Sequence, residues 1–179
     1  MLHIYLGPMY SGKTSKLIEM FHLNNDASKI IIDFDIGKEN GCYEGVLQNH
    51  NNIQLHCIKT KCLKSYDVSY DVSYDVNVNS IYINEAQFFP DLFEFVLEKI
   101  NKQKTIYLYG LDGDFQQNKM GSILDLIPYC DTICKLKSIC NKCNNHNAIF
   151  SKRITNSKEQ YLPDENAYIP LCRNCFYII

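Results

Sequence analysis

An α/β fold, with a mostly parallel sheet flanked by helices, is what this 179-residue sequence predicts, on three observations. Short apolar runs of strand length alternate with amphipathic helical stretches, the pattern of a parallel sheet whose crossovers are helices. A glycine-rich turn joins the first apolar run to the first helical stretch. In the last third the alternation stops, and two C-x-x-C pairs bracket a polar, strand-poor segment. That change marks off a small C-terminal lobe. Its boundary falls near Lys137, giving a core of residues 1–136 and a lobe of residues 137–179.

In chain order, Leu2 to Leu6 reads as a buried strand, and Ser15 to Leu23 as a helix with Leu17, Ile18 and Phe21 on one face. Lys29 to Phe34, with three consecutive isoleucines, is a second buried strand. Glycines and polar residues dominate Asp35 to Asn52, so a loop with little regular structure is expected there. Gln54 to Ile58 is a short strand. The stretch Tyr66 to Val76 reads YDVSYDVSYDV. This four-residue unit is far shorter than those that build solenoids, and it reads as a tolerated surface segment. Ser80 to Ile83 is a strand ending at Asn84-Glu85, and Asp91 to Asn101 a helix with Leu92, Phe95, Val96 and Ile100 inward. Thr105 to Leu111 is a further strand, and helical pattern returns at Ile123 to Ile127.

Composition excludes some classes of function. With 46% hydrophobic and 21% charged residues the chain is an ordinary globular one, and a net charge of -2 with no Lys/Arg run gives no reason to expect nucleic-acid binding. The apolar stretch at the N-terminus is too short for a signal peptide or a membrane span. A soluble, cytoplasmic protein is expected. In that compartment nine cysteines do not read as a disulfide framework.

Gly7-Pro8-Met9-Tyr10-Ser11-Gly12-Lys13-Thr14 satisfies G-x-x-x-x-G-K-[ST] in full, between a strand and a helix. Glycines let backbone N–H groups turn toward phosphate oxygens, and the helix N-terminus adds partial positive charge there. Lys13 is then expected to reach the β- and γ-phosphates, and the Thr14 hydroxyl to ligate Mg²⁺. The core is therefore P-loop NTPase-like, and ATP or GTP is its expected ligand.

Phosphoryl transfer also needs a group that orients or deprotonates the acceptor and carboxylates that manage the metal. In doubly wound sheets such groups sit at the C-terminal ends of strands. Glu85 is best placed; Asp112, Asp33 and Asp35 are further candidates, each of which could instead be a solvated charge. Cys140, Cys143, Cys172 and Cys175 have the spacing of a four-cysteine structural zinc site, which leaves no open position for catalysis. A lobe of this size buries too little surface to be stable alone, so zinc is expected as a folding element, making a zinc-ribbon lobe. His146 lies nearby and is surplus to four sulfurs.

The phosphate loop, Asn84-Glu85-Ala86-Gln87-Phe88-Phe89-Pro90-Asp91, Leu111-Asp112-Gly113-Asp114-Phe115-Gln116 and the two cysteine pairs follow one another in order. Together they resemble the type II thymidine kinases, over nearly the whole chain but more weakly between Asp35 and Asn79. The resemblance implies transfer of the γ-phosphoryl of ATP to the 5′-hydroxyl of thymidine, with Glu85 as the base. It implies a nucleoside pocket of Met9, Phe88, Leu111 and Phe115. A closing loop over about Tyr161 to Tyr168, with Leu162 and Tyr168 at the nucleoside, is also implied, as is Ser151 where a threonine often meets the thymine 5-methyl. A homotetramer is implied as well. Three departures stand out: Asn84 replaces an aspartate, no Asp-x-Arg element follows the second strand, and Pro163-Asp164 replaces a glycine pair. Asp35 is taken as the magnesium carboxylate in place of that element. Loss of charge at Asn84 points to a slower enzyme. The competing reading is a P-loop and zinc-ribbon module that binds nucleotide or nucleic acid without kinase activity; retention of Glu85 and the near-neutral charge oppose it.

Overall fold

A computed structural model describes residues 1–37, 41–69 and 78–178. Seven strands form one sheet in the order β3-β4-β2-β5-β6-β1-β7. They are β1 (Leu2–Leu6), β2 (Lys29–Phe34), β3 (Cys42–Gln48), β4 (Gln54–Thr60), β5 (Ser80–Asn84), β6 (Thr105–Gly110) and β7 (Thr132–Lys135). All neighbours are parallel except β3, which runs antiparallel to β4.

Alternation along the strands assigns a layer to each face. Ile4, Ile32, Ile81, Ile83, Ile106 and Leu108 point to the side covered by α2 (Leu63–Ser69), α3 (Leu92–Asn101) and a 3-10 helix over Ile123–Tyr129. On the opposite side Ile31, Tyr82 and Tyr109 meet Leu17 and Ile18 of α1 (Lys13–Leu23). The three-layer arrangement follows from these two apolar faces, neither of which can be left to water.

Three sequence expectations change. The expected loop over Asp35 to Asn52 contains β3, whose ladder partners on β4 run from Cys42↔Thr60 to Gln48↔Gln54. Its half-exposed edge position explains why no apolar run announces it. The helical pattern at Ile123 to Ile127 is a 3-10 helix containing Pro128, which cannot donate a backbone bond. A strand, β7, lies where none was expected; its residues are exposed and it pairs with β1 from the edge. Of the YDVS repeat, residues up to Ser69 continue α2, and the rest lies outside the described residues.

The C-terminal part holds two small antiparallel sheets, β8 (Ser138–Ile139) with β9 (Asn147–Ala148), and β10 (Phe150–Arg153) with β11 (Tyr168–Leu171). A short helix, α4 (Arg173–Tyr177), ends the described chain. Among the described residues, no helix is long and apolar enough to cross a membrane.

Candidate active site

Because β1, β2, β5 and β6 are parallel, their C-terminal ends lie along one edge of the sheet. That edge carries Gly7, Asp35, Glu85 and Leu111. The phosphate loop leaves β1 and enters α1 with Gly12 at φ 77, left-handed backbone that a side chain would oppose. At Gly7 a Cβ would come within 2.7 Å of both the Leu136 carbonyl oxygen and Ser11 Oγ. Lys13 is buried, and its ammonium donates to the carbonyls of Pro8 (2.9 Å) and Gly7 (3.3 Å). Burial pushes its pKa down, while the Glu85 and Asp112 carboxylates pull it back up. Ser11 Oγ is buried without a hydrogen-bond partner among the described residues, a polar atom suited to a ligand oxygen.

Glu85 sits just past β5 in left-handed backbone (φ 50, ψ 39), opening a 3-10 turn over Ala86–Phe88. A non-glycine residue in this region is uncommon and concentrates at functional positions. Its carboxylate accepts from Gln87 Nε2 at 2.7 Å, and the other end of the Gln87 amide accepts from Leu111 N at 3.0 Å. Gln87 is 3% exposed, so a buried amide holds Glu85 in register with the end of β6. Asp112 pairs with Lys135 at 2.5 Å. Asp33 is taken by Lys59 and by Asn84. Asp35 accepts from Gly37 N at 2.8 Å through Oδ1, and among the described residues its buried Oδ2 has no partner.

Met9, Lys13, Thr14, Glu85, Leu111 and Tyr161 line one cleft, together with Ile36 and His50. Sequence reasoning did not single out His50 or Ile36. His50 lies on the β3–β4 turn, where the sequence promised only loop, and its ring stacks on Tyr10 at 5.9 Å. Phe88 contacts the cleft through Tyr161, ring centroids 4.5 Å apart, and packs on Phe34 at 5.3 Å. Phe89 packs in the core. Ser151, on β10, is buried and its Oγ accepts from Met9 N at 2.9 Å, so the C-terminal part touches the phosphate loop directly. Tyr168 opens β11 and is only 5% exposed; its hydroxyl accepts from Leu162 N at 2.8 Å. It is thus a support beneath residues 154–162 rather than a free aromatic at their tip. Phe115 lies against the guanidinium of Arg153, a residue that sequence reasoning passed over.

The ligand sulfurs of Cys140, Cys143, Cys172 and Cys175 all lie within 4.8 Å of one another. Tetrahedral zinc with bonds of about 2.3 Å requires sulfurs about 3.8 Å apart, and Cys143 and Cys172 are at 4.0 Å. The donor set therefore fits zinc. Backbone hydrogen bonding from Asn145 and the His146 ring bring Cys143 down to about 5, whereas burial pushes Cys175 up to about 12. A divalent cation would equalise them by holding all four as thiolates. His146 stays outside the four-sulfur set, with its Nδ1 3.4 Å from Cys143 Sγ.

A sequence profile of the family described as thymidine kinase matches residues 1–176. Relatives that carry the same description include a sheeppox virus protein, 32% identical over 99% of this chain and 97% of its own length. A fowlpox virus thymidine kinase is 34% identical over 98% of this chain and 96% of its own. A rice thymidine kinase is 29% identical over 96% of this chain, which spans 64% of the rice protein's length.

Proposed function

Since the chain belongs to the thymidine kinase family, we propose that it phosphorylates thymidine at the 5′-hydroxyl with ATP as donor, and that Glu85 takes the proton. The observation that supports the reading is the single cleft lined by the phosphate loop, Glu85 and Leu111. A donor phosphate and an acceptor hydroxyl can meet there, with a carboxylate at hand and an ammonium opposite.

In this reading the loop backbone and Lys13 receive the β- and γ-phosphates. Lys13 exchanges its bonds to the Gly7 and Pro8 carbonyls for phosphate oxygens, which restore the charge that burial opposes. Gln87 holds one Glu85 oxygen and so orients the carboxylate that is to receive the acceptor proton. Magnesium, when bound, would neutralise developing charge on the phosphates; Thr14 and the buried Asp35 Oδ2, without a partner among the described residues, are the groups that suit it. Phe88, Leu111, Phe115, Met9 and Ser151 form the base pocket, with Leu162 in the segment that covers it and Tyr168 supporting that segment from β11. Zinc is held by the four cysteines as a folding element, and the division at Lys137 separates the lobe it stabilises. A cytoplasmic homotetramer is the expected setting, which light scattering on the purified protein tests.

Phosphoryl transfer from ATP with Mg²⁺ to thymidine, deoxyuridine, deoxycytidine and deoxyguanosine tests the whole reading. Turnover with thymidine and deoxyuridine alone is expected. Tight ATP binding without turnover on any of the four would replace the kinase with a nucleotide-binding module.

A further inference from the structure

Arg153 ends β10 and is 6% exposed, yet it carries a full charge. Its guanidinium carbon is 3.9 Å from the ring centre of Phe115 and 5.0 Å from that of Tyr168. Nη1 donates to the carbonyl of Ser157 at 3.2 Å and to that of Glu159; Nη2 donates to the carbonyl of Gln160 at 3.3 Å and to the Tyr168 hydroxyl. These acceptors are three backbone carbonyls and a phenol. A planar five-donor cation with two aromatic faces is thus the centre around which residues 154–162 fold.

A second anchor fixes the outer side of the same segment. Gln160 Nε2 donates to Asp114 Oδ2 and to the Lys119 carbonyl, both at 3.1 Å. Asp114 is itself held by Gln116 N and Asn118 N, each at 2.8 Å, in the turn that carries Phe115. The next residues in the chain, Tyr161 and Leu162, are the ones that reach the cleft and the Tyr168 hydroxyl.

We propose that Arg153 is a positioning residue for thymidine phosphorylation, holding residues 154–162 against Phe115 and Tyr168 so that the acceptor site is built before nucleoside arrives. This rests on the kinase reading above. It follows from the cost of ordering a loop: a segment tied down in advance does not charge that entropy to binding. The hydrogen bonds of Arg153 among the described residues go to Ser157, Glu159, Gln160 and Tyr168 and not to the phosphate loop or Glu85, so its loss should fall on acceptor affinity.

The test is Arg153→Lys, because a lysine keeps the charge but lacks the planar fork that meets Phe115, the Tyr168 hydroxyl and three carbonyls at once. We expect the thymidine KM to rise about tenfold or more, with kcat and the ATP KM within about threefold of wild type and zinc content unchanged. Chymotrypsin cleavage after Tyr161 should also accelerate as the segment opens. An unchanged thymidine KM overturns the proposal, as does a parallel loss of kcat and ATP affinity, which would mark a general structural role. Should Arg153→Lys fail to fold, Gln160→Ala at the exposed anchor carries the same expectations and the same refutation. A wild-type chain inactive on thymidine would sink the kinase reading instead, and the cleavage rates alone would then decide the role of Arg153.

Discussion

Asn84 donates from Nδ2 to Oδ1 of Asp33 across 2.8 Å, and Lys59 takes the other Asp33 oxygen. Both residues of the Asn84–Asp33 pair are buried, on adjacent parallel strands in register. An amide fits beside Glu85 here because its neighbour on β2 is already a carboxylate. The sequence alone suggested that an aspartate at position 84 would be the faster choice; the pair gives the reason to expect otherwise.

Asn84→Asp places a second carboxylate against Asp33 with one lysine between them, so one of the two must take up a proton or move. A fall in Tm of roughly 3–6 °C is expected by calorimetry, with no gain in kcat. The exchange Asp33→Asn with Asn84→Asp restores one charge per pair and should recover the loss. Equal stability of Asn84→Asp and wild type would refute the account.

Glu85→Gln keeps the shape and the contact with Gln87 but removes the proton acceptor. Turnover should fall by about 10²–10⁴-fold while ATP binding, followed by calorimetric titration, stays unchanged. Full activity would remove Glu85 from the mechanism.

Asp91 supplies a pH-dependent contribution. Its carboxylate caps α2 from a distance, accepting from Leu63 N (3.0 Å), Lys64 N (2.8 Å) and Cys62 Sγ (3.0 Å). Burial opposes its charge, but these bonds outweigh it and hold its pKa below the ordinary 3.8. A carboxyl depressed by folding stabilises in full above its unfolded pKa and loses that contribution as pH falls through the folded one. Acid titration of Asp91→Asn should therefore show a smaller stability difference from wild type below pH 3.8 than at pH 7. At neutral pH the substitution should cost about 1–2 kcal/mol in denaturant unfolding; a difference independent of pH would argue against a charged cap.

Cys172→Ser removes one of four sulfurs and should abolish stoichiometric zinc by elemental analysis, with a large drop in Tm. His146→Ala leaves all four in place but removes the contact to Cys143, so zinc loss to a chelator should accelerate about 10-fold or more. Unchanged release would return His146 to a surface role.

What could be read from the sequence was what local chemistry constrains. Gly12 and Lys13 complete a motif that sits between a strand and a helix, and the cysteine pairs carry the spacing of a four-sulfur metal site. Glu85 followed from the strand before it. β3 was hidden because Gly41, Gly45 and Gln48 read as loop until β4 supplies the ladder. β7 was hidden by its exposed edge position. Arg153 escaped notice because an arginine among polar residues reads as solvated; its partners include Phe115, far away in the chain and close in space. Gln87 lay inside a motif already noticed, yet its two hydrogen bonds belong to different strand ends.

The bond from Met9 N to Ser151 Oγ joins the loop that would grip ATP to the strand that leads into the segment proposed to cover thymidine. Two ligands sharing one seam are not independent in energy. Whatever factor the first substrate gains by tightening that seam, the second must gain in equal measure, because coupling free energies are reciprocal. The enzyme would then favour its filled state over either half-filled one, and ATP would be committed chiefly when an acceptor is present.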